Sequence, residues 1–164
     1  MAQTSLGGNP VNTSGDLPAV GSPTPSFTLT KADLSDITPA DLAGQRIVLN
    51  IFPSIDTPTC AISVRQFNEL ASGLDNTMVL NVSADLPFAQ GRFCAAENLS
   101  GVSNASTFRG GFSSYGVTLT EGKFAGLLAR AVVVLDVDGT VLHSQLVSEI
   151  AQEPDYDAAV AALR

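Results

Sequence analysis

The chain has 164 residues, 45% apolar and 15% charged, which fits a single globular domain with one sizeable core and excludes a disordered chain. Its net charge of −8 argues against nucleic acid and anionic membrane surfaces as partners, since both need a basic patch. No apolar run approaches the ~20 residues that span a bilayer, and Met1 to Gly21 has neither Lys or Arg nor an apolar centre; it does not read as a secretory signal, and a cytoplasmic location is expected.

Residues 1–27 carry turn formers and four prolines, Pro10, Pro18, Pro23 and Pro25, and read as a surface arm or hairpin leading into Phe27–Leu29. Ala40–Leu42 reads as a helical turn, with Thr38 as N-cap and Pro39 at its first position. Ile47–Phe52 is a near-continuous apolar run with β-branched residues, the signature of a strand buried on both faces. Thr77–Val82 and Ala131–Leu135 read alike; Thr140–Leu146 is a weaker strand, preceded by the hairpin turn signal Asp136–Gly139. Helices fall between. Val64, Phe67, Leu70, Ala71 and Leu74 recur at helical spacing from Cys60 to Leu74. Pro87–Leu99 is a second helix, followed by polar Ser103–Thr107. Asp155–Leu163 is a third, with acids in its first turn and Arg164 at the end that suits a cation. Alternating strands and helices predict an α/β fold with a central mixed sheet flanked by helices. A β-α-β half followed by a β-β-α half describes the thioredoxin-like architecture, here with an N-terminal hairpin extension.

The chain has two cysteines. In a reducing compartment such a pair is catalytic, metal-binding or plain core. With His143 as the single histidine, they make a poor zinc set, because four ligands at short spacings are expected. Cys60 follows a strand and a Pro-bounded loop, 53–59, and opens a helix. There the unpaired N–H groups and the positive end of the helix dipole favour a thiolate. Thr57 can place its hydroxyl near the sulfur, or can simply cap the helix. On these grounds Cys60 is either a reactive thiol or a small buried core residue. Cys94 sits within the second helix near Arg92, which either supports its thiolate or is solvated. Asp56 and Asp85 read as loop or cap acids, and His143 as structural. Arg130 stands just before a buried strand; facing inward, it needs an anion as partner, and otherwise it is a surface arginine.

Pro53, Thr57 and Cys60 fit the peroxiredoxin pattern Pro-x-x-x-Thr/Ser-x-x-Cys. Residues 50–60 (Asn-Ile-Phe-Pro-Ser-Ile-Asp-Thr-Pro-Thr-Cys) resemble the bacterial thiol peroxidase branch of that family. So do Ser83 to Gln90 with Arg92-Phe93-Cys94, Leu127 to Val134, and Glu149 to Tyr156. The likeness spans nearly the whole chain. It implies that Cys60 is the peroxidatic cysteine, that Thr57 and Arg130 hydrogen-bond the thiolate and the peroxide oxygens, that Pro53 shields the pocket, and that Cys94 is the resolving cysteine. Leu80-Asn81-Val82 carries no further thiol.

The implied reaction oxidises Cys60 to a sulfenic acid, condenses it with Cys94 into an intramolecular disulfide, and returns both thiols by exchange with thioredoxin. It needs no metal, flavin, haem or nucleotide. Hydrogen peroxide and organic hydroperoxides are the expected substrates, Phe88 and Leu128 the candidate pocket residues favouring alkyl groups, and a homodimer the expected assembly. Because the two cysteines fall on separate helices, closing the disulfide calls for local unfolding of the Cys94 helix, of the first turn of the Cys60 helix, or of both. A general disulfide oxidoreductase is disfavoured by the lack of Cys-x-x-Cys. A redox-switched interaction module needs no pair such as Arg130 and Thr57 to polarise a peroxide.

Overall fold

A computed structural model describes residues 2–163; Met1 and Arg164, the cation expected at the last helix end, lie outside the described residues. The arm forms a hairpin of β1 (Gln3–Leu6) and β2 (Asn9–Asn12), turned at Gly7 and Gly8, whose φ of 60° and 83° favour glycine. The chain then forms β3 (Leu29–Lys31), β4 (Asp36–Ile37) and α1 (Pro39–Leu42). α1 starts as the sequence suggests: the Thr38 N–H and hydroxyl both donate to the Asp41 carboxylate, at 2.9 and 3.1 Å.

The central strands are β5 (Arg46–Ile51), β6 (Thr77–Ser83), β7 (Val102–Ser106), β8 (Ala131–Leu135) and β9 (Val141–Leu146). With β3 and β4 they make a mixed sheet in the order β4-β3-β7-β6-β5-β8-β9. β5, β6 and β7 run parallel, joined by α2 (Pro58–Ala71) and α3 (Pro87–Ala96), while β8 and β9 close the far side antiparallel. The last helix, α4 (Tyr156–Ala161), begins at Asp155, which accepts the Ala158 N–H at 3.0 Å.

The apolar runs of β5 and β8 fill both faces of the sheet. Val48, Val132 and Val134 meet Phe67 of α2 and Ala159 of α4 on one side. Ile47, Leu49, Ile51 and Val133 meet Phe27, Leu29, Phe112 and Tyr115 on the other. Each such side chain contributes roughly 1.5–3 kcal/mol of burial, so the middle of the sheet is the rigid part of the molecule.

Two readings need correction. Ser103–Thr107 is not a polar tail after a helix: Val102–Ser106 is an internal strand, paired parallel to β6 and antiparallel to β3. Its polar side chains find partners inside the fold, as when Asn104 accepts from Asn81 at 3.1 Å and Ser106 donates to the Asp85 carbonyl at 2.5 Å. The second helix closes at Ala96 rather than Leu99; Asn98 takes φ 55° just beyond its end, a conformation asparagine tolerates better than most residues.

The hairpin is seated on the loop after β9. Thr4 Oγ1 donates to the Val147 carbonyl at 2.7 Å, and the Ile150 N–H donates to the Ser5 carbonyl at 2.8 Å. The Glu149 carboxylate gathers the N–H groups of Ala151 (2.9 Å) and Gly8 (2.8 Å) and the Ser5 hydroxyl (3.2 Å). These donors, the Ala151 N–H foremost, hold Glu149 below its ordinary value of 4.5. His143 on β9 is half-buried with its Nε2 unpartnered among the described residues; burial pushes it below 6.5, against an opposing pull from Asp155.

Both shifts have the same sign in pH. A lowered histidine leaves the unfolded chain binding more protons below about pH 6.5, and a lowered carboxylate does the same below about pH 4.5. Stability is therefore expected to be full above about pH 6.5, to decline gently below it, and to fall more steeply below about 4.5. Urea midpoints across a pH series check this. His143→Gln should remove the first decline and Glu149→Gln should soften the second. A midpoint that rises on acidification contradicts both assignments.

Candidate active site

The loop between β5 and α2 is tied down before it reaches Cys60. Asp85, just past β6, accepts from Ser54 Oγ and from the Ile55 N–H, both at 2.7 Å, and from Ser83 Oγ at 2.6 Å. Ser54 in turn offers its carbonyl to the Thr57 N–H (3.1 Å) and the Thr57 hydroxyl (3.0 Å). Thr57 is the N-cap residue of α2 and Pro58 its first helical residue, a position that needs no N–H. Cys60 thus falls in the first turn of a 14-residue helix, where a negative charge on sulfur is favoured by the helix dipole.

Cys60 is wholly buried among Phe52, Ile55 and Val64. Its sulfur accepts from Arg130 Nη2 at 3.1 Å. Arg130 is only 1% exposed, so the inward-facing reading holds. A guanidinium this deeply buried is costly without partners. It has two: the sulfur, and the Ile150 carbonyl, which accepts from Nε at 2.7 Å. Nη1 has no hydrogen-bond partner among the described residues. Arg130 is held by its place at the edge of the sheet, where its own carbonyl accepts the Val147 N–H at 3.0 Å.

Pro53, Thr57 and Arg130 line one cavity of about 230 Å³, whose apolar walls include Leu6, Phe124 and Ile150. The hairpin therefore supplies part of the site. Sequence reasoning singled out neither Leu6 nor Phe124, and no local pattern marks them, because both arrive through long-range packing. The pocket residues expected instead lie elsewhere. Leu128 is in the main core beneath the sheet, and Phe88 is 67% exposed on α3. The Thr57 hydroxyl gives its proton to the Ser54 carbonyl, which leaves its oxygen free to act as an acceptor. Asp85, read as a loop or cap acid, is the residue that fixes the Cys60 loop; its contacts to Ser54, Ile55 and Ser83 leave no mark in the sequence.

Cys94 is apart from this cavity, on α3. Both cysteines are free thiols. Cys94 is nearly buried and its sulfur accepts from Asn104 Nδ2 at 3.3 Å, whereas neighbouring Arg92 is exposed. α3 is braced against α2: Arg65 pairs with Glu97 at 2.5 Å and lies 5.6 Å from the centre of the Phe93 ring, and Phe93 packs on the cluster that contains Cys60.

Comparison with known proteins places this geometry. Residues 19–160 match the Redoxin family. The chain is 58% identical over 164 residues to the thiol peroxidases of Mycobacterium tuberculosis and Mycobacterium bovis, covering 99% of each partner in the alignment. Among solved structures it resembles the peroxiredoxin-like protein from Aquifex aeolicus, with TM-score 0.93 and 39% identity over 99% of this chain and 96% of that one. The thiol peroxidase from Chromobacterium violaceum shares the fold, with TM-score 0.90 and 21% identity over 98% and 94% of the two chains.

Proposed function

Since the chain belongs to the Redoxin family and is an enzyme of the peroxiredoxin type, we propose that it reduces hydrogen peroxide and organic hydroperoxides with Cys60 as the attacking thiolate. The observation that carries this reading is the buried 3.1 Å contact between Arg130 and the Cys60 sulfur. A cation held against the sulfur, with a further N–H unpartnered among the described residues, is ready to meet a second anion.

The thiolate attacks the terminal peroxide oxygen, the O–O bond breaks, and the departing oxygen leaves with the bonding pair as alkoxide or hydroxide, to be protonated to alcohol or water. The unpartnered Arg130 Nη1 is the donor for charge building on that oxygen, and costs no reorganisation when it develops. Thr57 accepts the hydroperoxide O–H, since its own proton is engaged with Ser54. Pro53 keeps water from the sulfur. Leu6, Phe124 and Ile150 give the cavity the apolar wall that an alkyl hydroperoxide needs.

The sulfenic acid on Cys60 then condenses with the Cys94 thiol, releasing water and forming the Cys60–Cys94 disulfide. A dithiol protein of the thioredoxin class reduces that bond by exchange. The assembly proposed is a homodimer, and Leu86, Phe88 and Phe108 are exposed apolar side chains available for a second copy to cover.

The test is a single-turnover experiment followed by a steady-state one. One equivalent of peroxide should lower the intact mass by two hydrogens, with peptide mapping joining Cys60 to Cys94. Reduced thioredoxin should then sustain turnover with hydrogen peroxide and with an organic hydroperoxide. A product in which Cys94 stays free, or in which peroxide leaves thioredoxin reduced, overturns the disulfide cycle.

A further inference from the structure

Three asparagines lie side by side on adjacent parallel strands: Asn50 on β5, Asn81 on β6 and Asn104 on β7, in register across the sheet. Asn50 and Asn81 are fully buried, in positions where the neighbouring residues are Val, Ile and Leu. Buried amides are costly unless each finds partners. Here the partners form one directed line. Asn50 Nδ2 donates to Asn81 Oδ1 at 3.1 Å, Asn81 Nδ2 donates to Asn104 Oδ1 at 3.1 Å, and Asn104 Nδ2 donates to the Cys94 sulfur at 3.3 Å. At the other end Asn50 Nδ2 also donates to Ser63 Oγ at 3.3 Å, and Ser63 Oγ donates to the Cys60 carbonyl at 2.8 Å.

Asn81 and Asn104 each accept on the oxygen and give from the nitrogen, while Asn50 gives from its nitrogen and its Oδ1 has no partner among the described residues; the orientation of Asn50 is passed to Asn81, and that of Asn81 to Asn104. The Asn104 N–H then faces the sulfur, and the Cys94 thiol in turn makes a longer contact, 3.8 Å, to Asn104 Oδ1 as donor. The line thus begins on the backbone of one cysteine and ends on the side chain of the other.

We propose that Asn104, oriented by Asn81 and Asn50, is a positioning residue that holds the Cys94 thiol within the folded helix α3 and so restrains disulfide formation. This rests on the Cys60–Cys94 cycle proposed above. The step concerned is Cys60 sulfenic acid plus Cys94 thiol giving disulfide plus water, later reversed by two electrons and two protons from a dithiol. A disulfide brings the two Cα atoms within about 4.4–6.8 Å. Cys60 is held by Arg130 and Cys94 by Asn104, on different helices. Drawing them together breaks the Asn104 contact if α3 moves, or the Ser63–Cys60 contact if the first turn of α2 moves. The ladder is complete only in the dithiol state, and its effect is to favour that state and to lengthen the life of the sulfenic acid.

The test measures the dithiol–disulfide equilibrium of the full chain against a glutathione or thioredoxin couple, and the rate of sulfenic acid loss after one equivalent of peroxide. Asn104→Ala should shift the equilibrium toward disulfide by about fivefold, the worth of one net hydrogen bond. That is a potential about 20 mV more negative. Condensation should be faster by a similar factor. Asn104→Leu, close in size but with neither donor nor acceptor, should shift both in the same direction, and serves if the alanine variant fails to fold. A purely structural role would lower the melting temperature without moving the potential. An unchanged or less negative potential, slower condensation, or an equal slowing of the peroxide step overturns the proposal. If the wild-type chain forms no Cys60–Cys94 disulfide, the cycle itself is wrong and this inference falls with it; if it does and neither variant moves the potential, only the inference falls.

Discussion

Cys60→Ser is expected to abolish peroxide reduction, while Cys94→Ser consumes about one equivalent of peroxide and stops. The two thiols differ in setting. Cys60 lies at a helix start with a guanidinium on its sulfur, and Cys94 lies in the last turn of α3 with a neutral amide on its own. A serine hydroxyl at 60 stays protonated and is a poor nucleophile toward an O–O bond, so nothing compensates for its loss. With serine at 94, the first oxidation proceeds and the product stays as a sulfenic acid, because thioredoxin attacks a disulfide and none can form within the chain. Peroxide consumption read alongside a sulfenic acid trap distinguishes the cases. Retention of most of the turnover by Cys60→Ser would falsify the assignment of the attacking thiol.

Arg130→Met is expected to slow oxidation of Cys60 by about 10²–10³-fold, the loss of about 2–4 kcal/mol found when one positioned donor to a developing oxyanion is removed. The size follows from burial: at 1% exposure no water stands ready to replace the guanidinium. Folding stability should change much less. Removing the cation leaves the Ile150 carbonyl without its 2.7 Å donor, but also removes the cost of burying a charge. Arg130→Lys should recover little of the rate, since an ammonium cannot hold Ile150 and the sulfur at once in the fixed geometry of the fork. Rapid-mixing measurement of Cys60 oxidation, with a urea midpoint for each variant, checks both halves. A wild-type rate in the methionine variant would remove Arg130 from the chemistry.

Much of this was legible in the chain because the responsible forces are local. β5, β6 and β8 announce themselves as near-continuous apolar runs, broken in β5 and β6 by one asparagine each, since they are covered on both faces. The sequence opens α2 at Cys60, two residues late; Thr57 as a cap is the nearer mark, with Pro58 behind it at the position that lacks an N–H partner anyway. Arg130 stays open in the sequence between an inward cation and a surface arginine, and only the family resemblance turns it inward. β7 stayed hidden because Ser103, Asn104 and Ser106 look like loop residues until their partners on β6 and at Asp85 are known. The pocket walls stayed hidden for a related reason: Leu6 and Phe124 are distant in sequence from Cys60, and nothing in their own neighbourhoods says where they end up. The direction of the Thr57 hydroxyl depends on the path of the Ser54 carbonyl, a matter of loop conformation that residue types do not encode.

The seating of the hairpin on the loop at 147–151 has a consequence for the order in which this protein is assembled. Arg130 takes its bearing from the Ile150 carbonyl, and Ile150 is fixed by Ser5, almost the full length of the chain away. Contacts of such separation are the slowest to form, because the whole intervening loop must first be closed. A nascent chain that has not yet released residue 150 from the ribosome lacks the carbonyl that aims the guanidinium, although Cys60 and its helix emerged long before. The cysteine is therefore made early and its neighbouring guanidinium aimed last, once the Ile150 carbonyl at the far end of the chain is in place.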